Sequence, residues 1–480
     1  MDKVRKLQFA TDFYQFSVSN VYAADKKGDE VAVFDLFIRK NPFQGGYTVF
    51  AGLEQIIEFI NDLHYSDEDI RLLKENHPEM TDAFLDCLRN LRFTGDIYAA
   101  REGELFFPQE PIVRVRAPLI QAQLIETTLL TIVNHESLIA TKASRICESA
   151  KGDAVLDFGL RRAHGTEAGL YGARACMIGG CRGTSNVEAE YRWGTVSKGT
   201  MSHAYVMSYD DEYEAFEKFA YYNPDNIILL VDTYDTLKSG VVNAIKLFKN
   251  LKQLGKLNGS YGIRLDSGDL SYLSKIARKL LDDAGFHDAI ISGSSDLDEY
   301  LIADLKAQGA AITLWGVGTK MITAYDNPAL GAVYKLSEIN HIPKMKISDA
   351  PEKITNPGYK KVIRLFDQST GKAIADLITL EDETIDISKP LRIYHPFFTF
   401  KQRVITNFFF EEVLQCIFKN GKLIYQQPTL QESSEYHKHA KQRFWEENLR
   451  FVNPNEYHVD ISDRLYDIKK DFIEQHNFKK

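Results

Sequence analysis

The chain has 480 residues, of which 44% are apolar and 26% charged, an ordinary globular composition with enough apolar side chains for more than one core. It holds 58 lysines and arginines against 67 aspartates and glutamates, a net charge of −9, which argues against a phosphate-coating nucleic-acid binder. Five scattered cysteines contain no CxxC pair, no signal-like run opens the chain, and no apolar run is long enough to span a bilayer; the expectation is a cytoplasmic protein with reduced thiols and no membrane partner.

Three regions differ in texture: 1–135, 136–350 and 351–480. In the first, Ala51 to Leu63 reads as a helix, and Asp67 to Leu91 as another, with Leu72, Leu73, Phe84, Leu85 and Leu88 at helical spacing. Ile97 to Val115 reads as strands and turns. The middle region repeats an apolar run ending in a small or acidic residue, followed by an amphipathic helix. Asn226 to Asp232 is the clearest such run, followed by a helix carrying Val241, Ile245, Phe248 and Leu251, with Gly255 as its cap. Tyr261 to Asp266, His287 to Ser292 and Ala311 to Gly316 are further strands. Repeated βα units at this spacing predict a parallel sheet, with a barrel as the natural closure and an open doubly wound sheet as the alternative. The last region reads as a small β-rich appendage. One hairpin runs from Val362 to Leu380 around Gly371, a second from Arg403 to Tyr425 turning at Asn420–Gly421, and a charged helix follows near Gln431 to Asn448.

In a βα barrel the working groups sit at the carboxyl ends of the strands. That rule selects Asp232 and Asp235, Asp266 and Asp269, Ser292 through Asp296, and Trp315 through Lys320. Carboxylate turns suit Mg²⁺ and sugar hydroxyls; Gly/Ser/Thr turns leading into helices suit a phosphate. Asp269 and Asp296 read better as helix N-caps, whereas Asp232 and Asp266 end apolar strands and favour chemistry. Upstream, Asp157–Phe158–Gly159–Leu160–Arg161–Arg162 places two arginines just after a strand, suited to a carboxylate or phosphate unless they form surface ion pairs. Gly183–Thr184–Ser185 is a small-residue loop, and His203 is a lone histidine among small residues, more often structural than catalytic. His437 and His439, two apart on a helix, make a poor metal pair.

Taken together these segments resemble the nicotinate phosphoribosyltransferases. The matching pieces are Thr11–Gln15, Phe34–Gly52, Asn134–Ser137, Asp157–Gly165, Gly183–Ser185, Ser202–Tyr205, Val231–Asp235, Arg264–Asp269 and Trp315–Thr319, in the family's order. The resemblance implies an α/β fold: an irregular (β/α) barrel of the type II phosphoribosyltransferase kind, a mixed α/β N-terminal domain and a β-rich C-terminal appendage. It implies a homodimer with shared active sites. It also implies joining of nicotinate to phosphoribosyl diphosphate with ATP hydrolysis coupled through a phosphohistidine, in NAD salvage, with Mg²⁺ and ATP as cofactor and co-substrate.

Carried over by position, the resemblance makes Phe158 and a second copy's Tyr14 the faces around the pyridine ring, with Arg264, Arg161 and Ser185 also near nicotinate. Asp232 and Asp266 would hold ribose hydroxyls and Mg²⁺ through water, Gly293, Gly316, Gly318 and Thr319 the 5′-phosphate, and His203 would be the phosphorylated residue. Related nicotinamide enzymes carry an acid where this chain has Ser185, so nicotinate is favoured over nicotinamide. An idle homologue acting as a ligand sensor would be expected to lose His203, Asp266 or Arg264, and all three are present.

Overall fold

The computed structural model describes residues 6–398 and 400–477. The chain divides into two compact units: one runs to residue 138 and resumes at 329, the other is 139–328. The predicted stretches 1–135 and 351–480 therefore both fall in the first.

The first unit is built on strands from distant parts of the sequence. Its seven-stranded sheet seats Val31–Ile38 between Ala332–Ile339 and Val113–Pro118, both antiparallel, and continues through Asp96–Ala99 to Gln415–Lys419. All of Val31–Ile38 except Val31 is buried, which is why it occupies an interior position in the sheet. A six-stranded sheet holds the hairpin Lys360–Asp367/Ala373–Leu380 around a core of Ile363, Leu365, Ala375, Leu377, Ile393 and Phe408.

Two expectations are corrected here. Asp67 to Leu91 is not one helix but two, Asp67–Asn76 and Asp82–Arg89. The chain breaks at His77–Pro78, where proline disfavours helix in the residue before it, and Thr81 caps the second helix by accepting from Phe84 N–H. The predicted second hairpin shrinks to Gln415–Lys419 with Lys422–Leu423. Its turn is Asn420–Gly421, at φ +48° and +73°, the left-handed pair that a two-residue hairpin turn requires. Strands Gln402–Ile405 and Phe408–Glu412 pair instead with Leu391–Tyr394 and Lys360–Asp367.

The second unit carries five parallel strands: β1 (Ala154–Asp157), β2 (Asn226–Leu230), β3 (Ser260–Leu265), β4 (Ile290–Gly293) and β5 (Leu314–Val317). Their order is β1-β5-β4-β3-β2, with helices Val241–Gln253, Leu270–Asp283 and Glu299–Ala307 between successive members of β2 to β5. Asp269 does cap its helix, accepting from Tyr272 N–H at 2.9 Å. Asp296 does not; Asp298 caps Glu299–Ala307 instead, accepting from Leu301 N–H at 2.8 Å.

No regular strand joins β1 to β2, and the gap is spanned by irregular chain. Arg182 N–H donates to Val155 O, Thr184 N–H to Val196 O and Lys198 N–H to Thr184 O. Asn226 Nδ2, at the start of β2, donates to Gly199 O at 3.0 Å. This seam makes the barrel irregular. Among the described residues no helix is long and apolar enough to cross a membrane.

Lys469, on helix Asp463–Asn477, is buried and donates to Asn356 Oδ1 at 2.9 Å and Pro396 O at 2.8 Å. Burial, and then Lys360, lower its ammonium from the usual 10.5 to about 7. Between those two values the unfolded chain binds more protons than the folded one, so this lysine makes stability rise with pH across that window. The slope reaches about 1.4 kcal/mol per pH unit. Melting temperatures of wild type and Lys469→Met at pH 7, 8 and 9 should show a flatter rise in the variant; equal slopes would contradict the assignment.

Candidate active site

The strand ends of the second unit converge on a cleft of about 990 Å³. Each wall follows from where an apolar run stops. After buried Val155, Leu156 and Asp157, the chain leaves β1 and turns Phe158 into the cleft, its N–H held by Val317 O at 2.8 Å. The tight turn Leu160–Arg162 then exposes Arg161 and Arg162 on the rim. The Phe158 ring lies against Gly316: a Cβ there would stand 2.5 Å from Cε2 and 2.6 Å from Cδ2. Gly316 is thus the floor under an aromatic ring, paired with Leu156 in the sheet, as well as a cleft-lining residue.

At the end of β2, Asp232 has a side chain only 1% exposed and both oxygens engaged. Oδ1 lies 3.1 Å from His203 Nε2, and Oδ2 accepts from Asp266 N–H at 3.1 Å and from the Ser267 hydroxyl. His203 opens a short helix, His203–Met207, and its ring is 40% exposed to the cleft. Arg264, within β3, gives one Nη1 bond to the Thr200 hydroxyl, while its Nε is buried without a hydrogen-bond partner. Burial draws its pKa down, opposed by Asp266 and Asp232 and assisted by Arg161. A half-satisfied guanidinium opening on a cleft is built to receive an acceptor from outside the chain.

Asp266 accepts from the Ser294 hydroxyl and lines the cleft. Beyond β4 the loop bends through Ser295 at φ +101° and Asp296 at φ +39°, two non-glycine residues in the left-handed region, strain of the sort that collects where ligands are held. Gly318 and Thr319 line the cleft after β5.

Most of the residues singled out in the sequence therefore meet: Phe158, Arg161, Ser185, His203, Arg264, Asp266, Gly316, Gly318 and Thr319 line one cleft, and Asp232 stands directly behind His203. Gly293 does not line it. It pairs with Leu265 and Trp315 in the ladder, its open side facing Ile312, and Ser294, Ser295 and Asp296 take that part of the wall. Asp235 accepts from Lys238 N–H, closing a turn outside the cleft. Tyr14 belongs to the other unit, on helix Phe13–Ala24; it is half exposed, its phenol raised to about 12 by partial burial and then by Glu126. Sequence reasoning misses Thr200; Ser294 lies within the selected turn Ser292–Asp296, whereas Asp296 reads there as a helix cap and its cleft role is missed. For Asp296 the signal was available: Asp298 stands directly before the helix, in the capping position.

The family models for nicotinate phosphoribosyltransferase match the N-terminal domain over residues 9–134, the family proper over 154–388 and the C-terminal domain over 359–469. The chain is 48% identical to the nicotinate phosphoribosyltransferase of Bacillus subtilis (strain 168), over 98% of this chain and 96% of that one. It belongs to the nicotinate phosphoribosyltransferase family. The human nicotinate phosphoribosyltransferase is 30% identical over 95% of this chain and 94% of that one. The crystal structure of human nicotinic acid phosphoribosyltransferase matches with a TM-score of 0.86 at 28% identity, over 96% of this chain and 99% of that one. Membership gives the fold: a mixed α/β type II phosphoribosyltransferase.

The family's implied Mg²⁺ has a donor set that fits one mode of binding. Among the described residues no three His, Cys, Asp or Glu side chains gather as a cage. Both oxygens of Asp232 are occupied within the chain, and Asp266 faces the cleft with one oxygen accepting from Ser294. Such carboxylates suit an ion that keeps water and substrate oxygens as ligands.

Gly316→Ala tests the aromatic wall. The new methyl group meets the end of a side chain that can swing away, so the fold should persist at a cost of about 1–3 kcal/mol while Phe158 leaves its position. A crystal structure of the variant with Phe158 unmoved would contradict this packing.

Proposed function

We propose that this chain transfers the phosphoribosyl group of phosphoribosyl diphosphate to nicotinate, giving nicotinate mononucleotide and diphosphate in NAD salvage in the cytoplasm. ATP hydrolysis is coupled to the transfer through phosphorylation of His203. The observation that carries the reading is the convergence, in one cleft of a family member, of an aromatic face (Phe158), a half-satisfied arginine (Arg264), a cleft-facing carboxylate (Asp266) and a histidine backed by a buried aspartate (His203–Asp232).

In this reading Phe158 stacks on the pyridine ring and Arg264 takes the nicotinate carboxylate, with Arg161 adding positive charge and Ser185 leaving the pocket free of a repelling acid. A homodimer completes the pocket with Tyr14 of a second copy on the ring's other face. Alignment of the ring nitrogen on the anomeric carbon is the main contribution of these contacts, since it replaces a bimolecular encounter with a held geometry. The nitrogen–carbon bond forms as the bond to diphosphate breaks, and positive charge developing on the sugar is met by Asp266, which also orients the ribose hydroxyls. Gly318 and Thr319 receive the 5′-phosphate beside the Ser294–Asp296 turn, while Gly316 makes room for the Phe158 ring. Asp266, with Asp232 behind it, would hold Mg²⁺ through water; the ion supplies charge neutralisation for the departing diphosphate.

His203 is proposed to accept the γ-phosphoryl group of ATP: the nitrogen–phosphorus bond forms, ADP leaves, and water later releases phosphate. With Nε2–H donated to Asp232, the ring lone pair sits on Nδ1, which becomes the nucleophile, and Asp232 stabilises the cationic ring that results. A nicotinamide phosphoribosyltransferase is disfavoured by Ser185, and an idle sensor by the retained His203, Arg264 and Asp266.

Steady-state formation of nicotinate mononucleotide, with and without ATP, tests the reading. Wild type should use nicotinate in preference to nicotinamide and respond to ATP, whereas His203→Ala should keep the basal rate and lose the ATP response. Failure of wild type to use nicotinate overturns the proposal, and an unaltered ATP response in the variant overturns the role of His203. Ser185→Asp places a carboxylate opposite the substrate's own and should lower kcat/KM for nicotinate by about 100-fold or more while sparing nicotinamide.

A further inference from the structure

Phe158 and Ser185 stand on two different segments of the cleft, one following β1 and the other in the irregular seam beside it. A single buried residue holds both. Asp157 N–H donates to Gly183 O at 2.9 Å, and Ser185 N–H donates back to Asp157 O at 2.7 Å. The Asp157 side chain repeats the link: Oδ1 accepts from Gly159 N–H at 2.8 Å, fixing the turn that aims Phe158, and Oδ2 accepts from the Thr184 hydroxyl at 2.7 Å. Thr184 extends the tie outward, its hydroxyl oxygen accepting from Asn186 N–H at 3.0 Å and its backbone pairing with Val196 and Lys198. Both residues are 0% exposed.

Neither donor to the Asp157 carboxylate is a cation, and burial pushes its pKa up, with Thr184 and Gly159 opposing. An uncompensated buried carboxylate is a costly way to brace a turn. What it offers is two acceptor oxygens at a fixed separation, one for each segment.

Building on the nicotinate reading above, we propose that Asp157 and Thr184 are a positioning pair that sets the spacing between Phe158 and Ser185, and with it the discrimination between pyridine carboxylate and pyridine carboxamide. Neither residue lines the cleft; they act through the two that do.

Thr184→Val keeps the side-chain shape and removes the hydroxyl, and Thr184→Ser keeps the hydroxyl. Kinetics with nicotinate, phosphoribosyl diphosphate and nicotinamide varied separately should show Thr184→Val raising KM for nicotinate by about 10-fold or more, since small misplacements of a bound group are amplified in rate and binding. KM for phosphoribosyl diphosphate should stay within about twofold, and the nicotinate-to-nicotinamide ratio of kcat/KM should fall. Thr184→Ser should match wild type. If Thr184→Val loses its cooperative melting transition, Asp157→Asn carries the test, with the same split between the two KM values expected. An unchanged nicotinate KM and ratio, or an equal rise in both KM values, overturns the pair as a selectivity device. Wild type inactive with nicotinate overturns the functional reading and this inference together, whereas an active wild type beside an unaltered variant overturns the inference alone.

Discussion

Five parallel strands have two edges, and the amide and carbonyl groups along a buried edge must find partners. In the second unit that requirement falls on the gap between β1 and β2, where no regular strand is available. The segments 182–186 and 196–199 meet it one residue at a time, through Asp157, Thr184 and Lys198, ending on Asn226. Because these segments follow no regular pleat, they can present Ser185, Thr200 and the approach to His203 at angles a strand would not allow. The cleft depends on that seam: it is where the barrel is least regular, and one whole wall of the site is made from it.

The same constraint explains how the charged groups are arranged. Asp232 is held by Asp266 N–H, Ser267 and His203, so the aspartate at the end of β2 is a support for its neighbours and leaves Asp266 to face the cleft. Arg264 is half-buried, its Nε buried without a hydrogen-bond partner, while Arg161 and Arg162 are exposed on the rim. Positive charge is thus graded from rim to interior in a protein whose net charge is −9, which draws an anion inward.

Much of this was legible in the residues. Apolar runs ending at Asp232 and Asp266 identified β2 and β3 because a buried strand leaves a continuous hydrophobic signature, and Asp269 announced its helix by its position. What stayed hidden was non-local. Nothing around Gly316 tells that Phe158 lies on it, since that contact joins residues far apart in the chain. Val31–Ile38 gives no hint that one neighbour comes from Ala332–Ile339, because backbone pairing is indifferent to sequence distance. Helical spacing alone merged Asp67 to Leu91, although Pro78 marked the break. Glycines near a strand end looked like a phosphate cradle, yet Gly293 is spent on close packing against Ile312, and polar Ser294 and strained Ser295 and Asp296 occupy that wall.

In the proposed mechanism His203, oriented by Asp232, carries a phosphoryl group. Incubation of the wild-type protein with Mg²⁺ and ATP labelled at the γ-phosphate, followed by denaturation and separation of bound label, tests it most directly. The expected result is a label on the protein that is labile in acid and stable in alkali, as a phosphoramidate is, and that is absent from His203→Ala. No label on wild type, or the same label on the variant, would contradict it.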